Sequence, residues 1–299
     1  MTTVLDREAT ANTENSWGAW IDDRVKRSSP TNPIVEYVLL DPALAQELMS
    51  RNEDNRTWRA GLLRTLEKDF RGGRFLFNGE PIIVSGDYGG KLNDGQHRLQ
   101  TVINTGISIM VLIVFGPARE SRMTVDMGLS RSSADLLKIN GFSNASIVAA
   151  TANNVSEWLK TGSITSSQLN RLTRSEILEF ATENENTLQA SVSVTSSGEA
   201  RMLVSSVVAT AHWIISYSCD SSSDVDAFFS SLISGSDLPA KSPILYCRNR
   251  LLRMREEKTV TRSYSRIELI VRCWNAWLRG ATTYASVPLG IYAWPEVGG

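Results

Sequence analysis

Between residues 31 and 116 the apolar positions change period several times, and each change marks an element. Residues 33–40 alternate and predict a strand. A helix follows from Asp41, whose carboxylate is placed to cap it. The polar run 51–56 predicts a loop. Leu62, Leu63, Leu66 and Phe70 then recur at helical spacing from Trp58, and Gly72 and Gly73 end that helix. Residues 74–77 and 81–84 predict a hairpin around Asn78 and Gly79, a strong turn pair. A second turn at 86–90 leads to a short strand at 91–92. Leu99, Val102 and Ile103 then share the face of a helix that starts at Asp94 and stops at Gly106, ahead of a buried-type strand at 107–115.

From residue 132 onward the pattern predicts helices alone: 132–140, 144–161, 173–186, 201–217, 224–233, 243–257 and 265–279. Thr173 and Glu176 form a capping box, and Pro243 stands in a first turn where proline is tolerated. Serine-rich connectors lie at 191–197 and 218–223. Residues 1–30 are polar and predict a loosely ordered segment in which Trp17 and Trp20 are the residues able to dock. The expected organisation is therefore a polar segment at 1–30, an α/β domain at 31–135 and a helical domain at 136–299.

The 299 residues suffice for a sizeable core, and 31 basic against 32 acidic residues leave no whole-molecule field that would draw nucleic acid or a membrane. Three cysteines, Cys219, Cys247 and Cys273, match neither a disulfide framework nor a zinc spacing, which fits a reducing compartment. The N-terminus lacks an apolar signal region and the longest apolar run, 107–115, is too short to span a bilayer, so a cytoplasmic protein without a membrane partner is expected. There is no P-loop, no Gly-rich dinucleotide turn, no H-E-x-x-H and no cysteine-based site.

The densest chemistry lies at Asp94, Gly95, Gln96, His97 and Arg98, where a strand gives way to a helix. A helix N-terminus offers backbone N–H groups at a positive dipole end, a natural anion site. Gly95 would let an anion approach closely, or merely make a tight turn. Arg98 offers a planar fork for phosphate oxygens, or a surface ion pair. His97 could pass a proton to a leaving oxygen, or hydrogen-bond the turn. Asp94 could hold a divalent ion or activate a hydroxyl, or simply cap the helix. Gln96 joins the phosphate-binding set without a defined role, and Asn55 and Arg56 join it from a loop preceding a helix. Asp126 and Arg131, flanking Gly128, could complete a metal–phosphate site or form a plain ion pair. His212, on an apolar helix, reads as a core residue.

In its order of strand, polar turn, D-G-Q-H-R, apolar helix, Gly106 and apolar strand, the region 35–116 resembles the ParB/sulfiredoxin superfamily, and most of all its D-G-Q-H-R members from phage and bacterial DNA-modification systems. Residues 126–131 and the tail bearing Trp274 and Trp277 resemble the phage-type subgroup. The resemblance implies an α+β fold: a small mixed sheet with helices in the N-terminal half, and an all-helical C-terminal domain. It also implies a helix N-terminus that holds nucleotide or phosphoryl oxygens, and a bacterial host cell with a phage-encoded gene as one setting. Members of the superfamily include a DNA-sliding CTPase, nucleases, an amino-acid kinase and a phosphorylating reductase, so fold does not fix reaction.

A second charged region runs from Arg248 to Arg272. Arg248, Arg250, Arg253, Arg255, Lys258, Arg262, Arg266 and Arg272 stand there against Glu256, Glu257 and Glu268, with Tyr264 and Trp274 interleaved. Such a stripe could track a DNA backbone with its aromatics stacking on bases, or form a solvated helix pair. The leading expectation is a binder of DNA or a nucleotide that performs metal-assisted phosphoester chemistry, as a DNA nuclease or a nucleotide hydrolase, with Mg²⁺ or Mn²⁺ at Asp94. The competing expectations are a non-catalytic DNA-binding protein and a small-molecule phosphotransferase.

Overall fold

The computed structural model describes residues 16–55, 57–87, 89–124, 131–165, 170–257, 263–287 and 294–298. These form a mostly helical α+β molecule, with thirteen α-helices and one four-stranded mixed sheet among the described residues. The chain divides into two compact units, 1–130 and 131–299, each with its own apolar cluster. The division precedes residue 135 because the helix that starts at Ser133 packs on later helices.

In the first unit the elements are α1 (Ser16–Arg27), β1 (Ile34–Leu40), α2 (Pro42–Met49), α3 (Ala60–Arg71), β2 (Pro81–Val84), β3 (Leu92–Asp94), α4 (Gln96–Thr105) and β4 (Ile109–Phe115). A 3₁₀ turn, Arg119–Thr124, follows β4. The sheet order is β1-β4-β2-β3, with β1 and β3 antiparallel to their neighbours and β2 parallel to β4. Asp41 caps α2 as expected, its Oδ1 accepting from Leu44 N–H at 2.7 Å. Leu44 and Leu48 of α2, Phe70 of α3, and Leu99 and Val102 of α4 bury their side chains with Ile82, Val84, Val111, Ile113 and Phe115 of the sheet. On β1 the exposed Val35, Tyr37 and Leu39 alternate with the half-buried Ile34, Glu36 and Val38, and Leu40 is buried.

Two expectations fail in this unit. Residues 74–77 form no strand and no hairpin with β2. That strand already has β4 on one side and β3 on the other, so neither edge is left for a further partner. The segment 16–27 is helical rather than loose. Its Trp17, Trp20, Ile21 and Val25 fall on one helical stripe within a polar composition. Ile21 is fully buried, and the Trp20 ring meets Phe115 edge-on at 5.6 Å.

The second unit comprises α5 (Ser133–Ile139), α6 (Ala145–Thr161), α7 (Arg174–Glu183), α8 (Glu185–Ser193), α9 (Gly198–Met202), α10 (Ser205–Ser218), α11 (Ser222–Ser234), α12 (Pro243–Glu256) and α13 (Ser263–Leu278). No strand occurs among its described residues. The Thr173 capping box is formed in both directions, at 2.8 and 3.2 Å. Where one helix was expected over 201–217 there are two, because Val204 turns to φ +67° between α9 and α10. Ser191, Val192 and Ser193 of the expected connector belong to α8.

Candidate functional site

Asp94 is not the helix cap that the sequence suggests; it is the last residue of β3 and pairs with Ile83 of β2. The turn into α4 is made one residue later by Gly95 at φ +105°, a conformation L side chains rarely adopt. A Cβ at Gly95 would stand 2.9 Å from Ile82 Cγ1, so the turn is also wedged against the core. Gly95 offers the first turn of α4 no capping side chain, and Leu99 N–H closes that turn on the Gly95 carbonyl at 3.0 Å.

Arg98 lies in the first turn of α4, and its fork faces the start of β2. Nη2 donates to the Pro81 carbonyl at 2.6 Å, Nη1 donates to the Glu80 carbonyl, and Asp94 Oδ2 stands 3.7 Å from Nη2. That last separation is an ion pair without a close hydrogen bond. His97 is buried, its Nε2 accepts from Arg59 N–H at 3.2 Å, and the exposed Trp58 ring meets it edge-on at 5.4 Å. The accepting nitrogen must be unprotonated, so this imidazole ties the entry of α3 to α4 rather than offering a proton from Nε2.

The loop 51–55 is drawn to the same place. Asn55 Nδ2 donates to the Leu92 carbonyl at 2.7 Å and to Asn52 Oδ1 at 2.5 Å, and Asn52 Nδ2 donates to Gln96 Oε1 at 3.4 Å. Gln96 is buried, and here it acquires the partner that its sequence position did not disclose. Asn55, Gln96 and Gly95 are thus linked through hydrogen bonds and chain adjacency. Arg56 and Asp126 lie outside the described residues. Arg131 belongs to the second unit, is exposed, and its carbonyl accepts from Arg174 Nη1.

Asn52, Trp58 and Arg119 are the participants that the sequence reading missed. Arg119 is buried in the 3₁₀ turn after β4; Nη1 donates to the Leu92 carbonyl at 2.5 Å and to Asn93 Oδ1 at 3.0 Å, and Nη2 donates to the Glu53 carbonyl. Burial, and then the neighbouring Arg122, push its pKa below the usual arginine value. The signal available in sequence was weak: an arginine two residues after Pro117, with no periodic neighbour.

A divalent ion at this turn would have Asp94 as its carboxylate. Among the described residues no group of three or more His, Cys, Asp and Glu could hold a metal. A Mg²⁺ bound through one carboxylate and ligand phosphates needs no such group, so Asp94 is compatible with it on donor type.

The structure divides the residues of the basic stripe between helix packing and the surface. Arg248 caps the end of α11 through the Leu232 carbonyl at 2.9 Å and the Ile233 carbonyl. Arg255 donates to the Arg201 carbonyl at 2.6 Å, and the buried Arg272 pairs with Glu268 at 2.5 Å. Arg266 is half-buried with its Nε enclosed. Arg250, Arg253 and Arg255 are exposed, and Lys258 and Arg262 lie outside the described residues. Trp274 is fully buried with Nε1 donating to the Gly298 carbonyl at 2.8 Å, so it cannot stack on a base. Carbonyls at helix ends thus claim two of these guanidinium groups, those of Arg248 and Arg255.

Comparison with family models, with curated proteins and with solved structures returns no significant match. No helix among the described residues is long and apolar enough to cross a membrane.

Proposed function

We propose that the N-terminal unit binds a phosphate-bearing ligand, a nucleotide or a DNA backbone, at the turn 94–98, in the manner that the ParB/sulfiredoxin resemblance implies. The observation that carries this reading is the glycine-made junction itself. Gly95 opens α4 without a capping side chain, with Arg98 in the first turn and the amide side chains of Asn52 and Asn55 held beside it on Gln96 and Leu92. On ligand entry Arg98 would exchange its 3.7 Å contact with Asp94 for a phosphoryl oxygen while keeping its hold on β2.

Metal-assisted phosphoester hydrolysis is the second reading, favoured by the position of Asp94. Its carboxylate stands on the turn itself, 3.7 Å from Arg98 Nη2, and is the oxygen donor there that would suit Mg²⁺ or Mn²⁺. In that reading Asp94 holds the ion or orients the water, Arg98 holds the phosphoryl group, and His97 keeps α3 in place.

The test is a titration of the full chain with inorganic phosphate, nucleoside triphosphates and duplex DNA, with and without Mg²⁺ or Mn²⁺. Arg98→Ala should weaken binding by about 1.5–3 kcal/mol, the worth of a charge-assisted hydrogen bond, in a variant whose unfolding transition is intact. Asp94→Asn should abolish any metal-dependent turnover and leave metal-free binding in place. A wild-type chain that binds none of the three ligands overturns the proposal, whereas one that binds but hydrolyses neither triphosphate nor plasmid DNA removes the second reading.

A further inference from the structure

Arg119 is a buried cation 21 residues beyond Arg98 in the chain, and the partners of its guanidinium belong to two segments that meet at the turn. One is β3, where Asn93 is the extra residue of a bulge: Ile83 pairs with Asp94 and Val84 pairs with Leu92. The bulge turns the Asn93 side chain toward the 3₁₀ turn. There its Nδ2 donates to the Ala118 carbonyl at 3.1 Å and its Oδ1 accepts from Arg119 Nη1 at 3.0 Å. The other is the loop 51–55, whose Glu53 carbonyl accepts from Arg119 Nη2. Arg122, one 3₁₀ turn on, donates to the Asp54 carbonyl at 2.6 Å, and Asp54 itself sits at φ +53°.

We propose that Arg119 is a positioning residue for the candidate site. Its fork bridges β3 and the Glu53 carbonyl, and this bridge sets Asn55 on the Leu92 carbonyl and Asn52 on Gln96, at the first residue of α4. The assignment of a ligand to that place rests on the phosphate-binding reading above; the bridge itself does not. Geometry favours arginine over lysine here, because one planar group supplies two donors in fixed directions to acceptors on different segments. A lysine retains the charge without spanning both.

The test uses full-length Arg119→Lys beside Asn55→Ala, the latter changing a half-buried residue at the far end of the same chain of bonds. Amide hydrogen exchange at 52–55 should quicken by about tenfold or more in both variants, with exchange in β4 unchanged. A purely structural loss would instead raise exchange in the loop and in β4 together, and that result overturns the proposal. Affinity for a nucleoside triphosphate should fall by about tenfold in each variant and no further in the double variant, since both break one bridge. Wild-type exchange at 52–55 in both variants overturns the proposal, as does quickened exchange with wild-type affinity. If the wild-type chain binds no phosphate ligand while Arg98→Ala is equally inert, the phosphate reading falls, and loop-specific exchange alone then decides whether Arg119 holds the bridge.

Discussion

Gly95 satisfies two demands at one position, a left-handed φ and a close approach to Ile82, and Gly106 at the other end of α4 satisfies only the first. Both sit at positive φ, +105° and +71°, but a Cβ at Gly106 meets nothing within 4 Å. Gly106→Ala should therefore cost the backbone strain alone, roughly 1–2 kcal/mol. Gly95→Ala should cost more, about 2–4 kcal/mol, because the Ile82 side chain is fully buried and has little room to yield. Urea denaturation of the two variants compares them directly. Equal costs would show that Ile82 moves aside freely and that Gly95 is a turn residue with no packing role. Arg98 is likewise divided, between a hold on the carbonyls of Glu80 and Pro81 and an ion pair with Asp94.

At the scale of elements, His212 shows how helix packing sets the behaviour of one side chain. It lies on α10, its Nδ1 is 3.0 Å from Ser191 Oγ of α8 and 3.4 Å from Ser216 Oγ, and its ring meets Phe229 of α11 at 4.9 Å. Burial lowers its pKa from 6.5 to about 4, against a small opposing pull from Asp226. Between those values the unfolded chain holds a proton that the folded chain does not. The stabilisation is complete above pH 6.5 and is lost as the pH falls toward 4, by about 3 kcal/mol at most. His212→Gln should remove that part of the pH dependence, measured as the slope of unfolding free energy between pH 6.5 and 4. An unchanged slope would place the titration elsewhere.

The elements that sequence made legible are those whose cause is local. The caps at Asp41 and Thr173, the stop at Gly162 and the junction at Gly95 each follow from a few neighbouring residues. Residues 74–77 form no strand because both edges of β2 are paired, with β4 and β3, and the turn at Asn78 and Gly79 does not record that competition. The site was legible in the same partial way. The residues of the turn announce themselves, but Asn52 and Arg119 join it through bonds of sequence separation 44 and 26 to 66, which no local pattern records.

For the molecule as a whole, the two apolar clusters share no residue. One runs from Ile21 to Phe115 and the other from Leu137 to Val287. Leu99 is fully buried in the first, beneath the turn, and Trp274 is fully buried in the second, edge-on to Phe228 at 5.4 Å. Leu99→Ala should cost about 2–5 kcal/mol and Trp274→Ala about 3–5 kcal/mol, each through the cavity it leaves. Because the cores are separate, each substitution should shift its own unfolding transition and spare the other. Calorimetry of the full chain with the two variants reads this directly. Only Leu99→Ala should also loosen any phosphate ligand, since α4 carries Arg98 above Leu99. A single transition displaced equally by both substitutions would show instead that the two units unfold as one cooperative body.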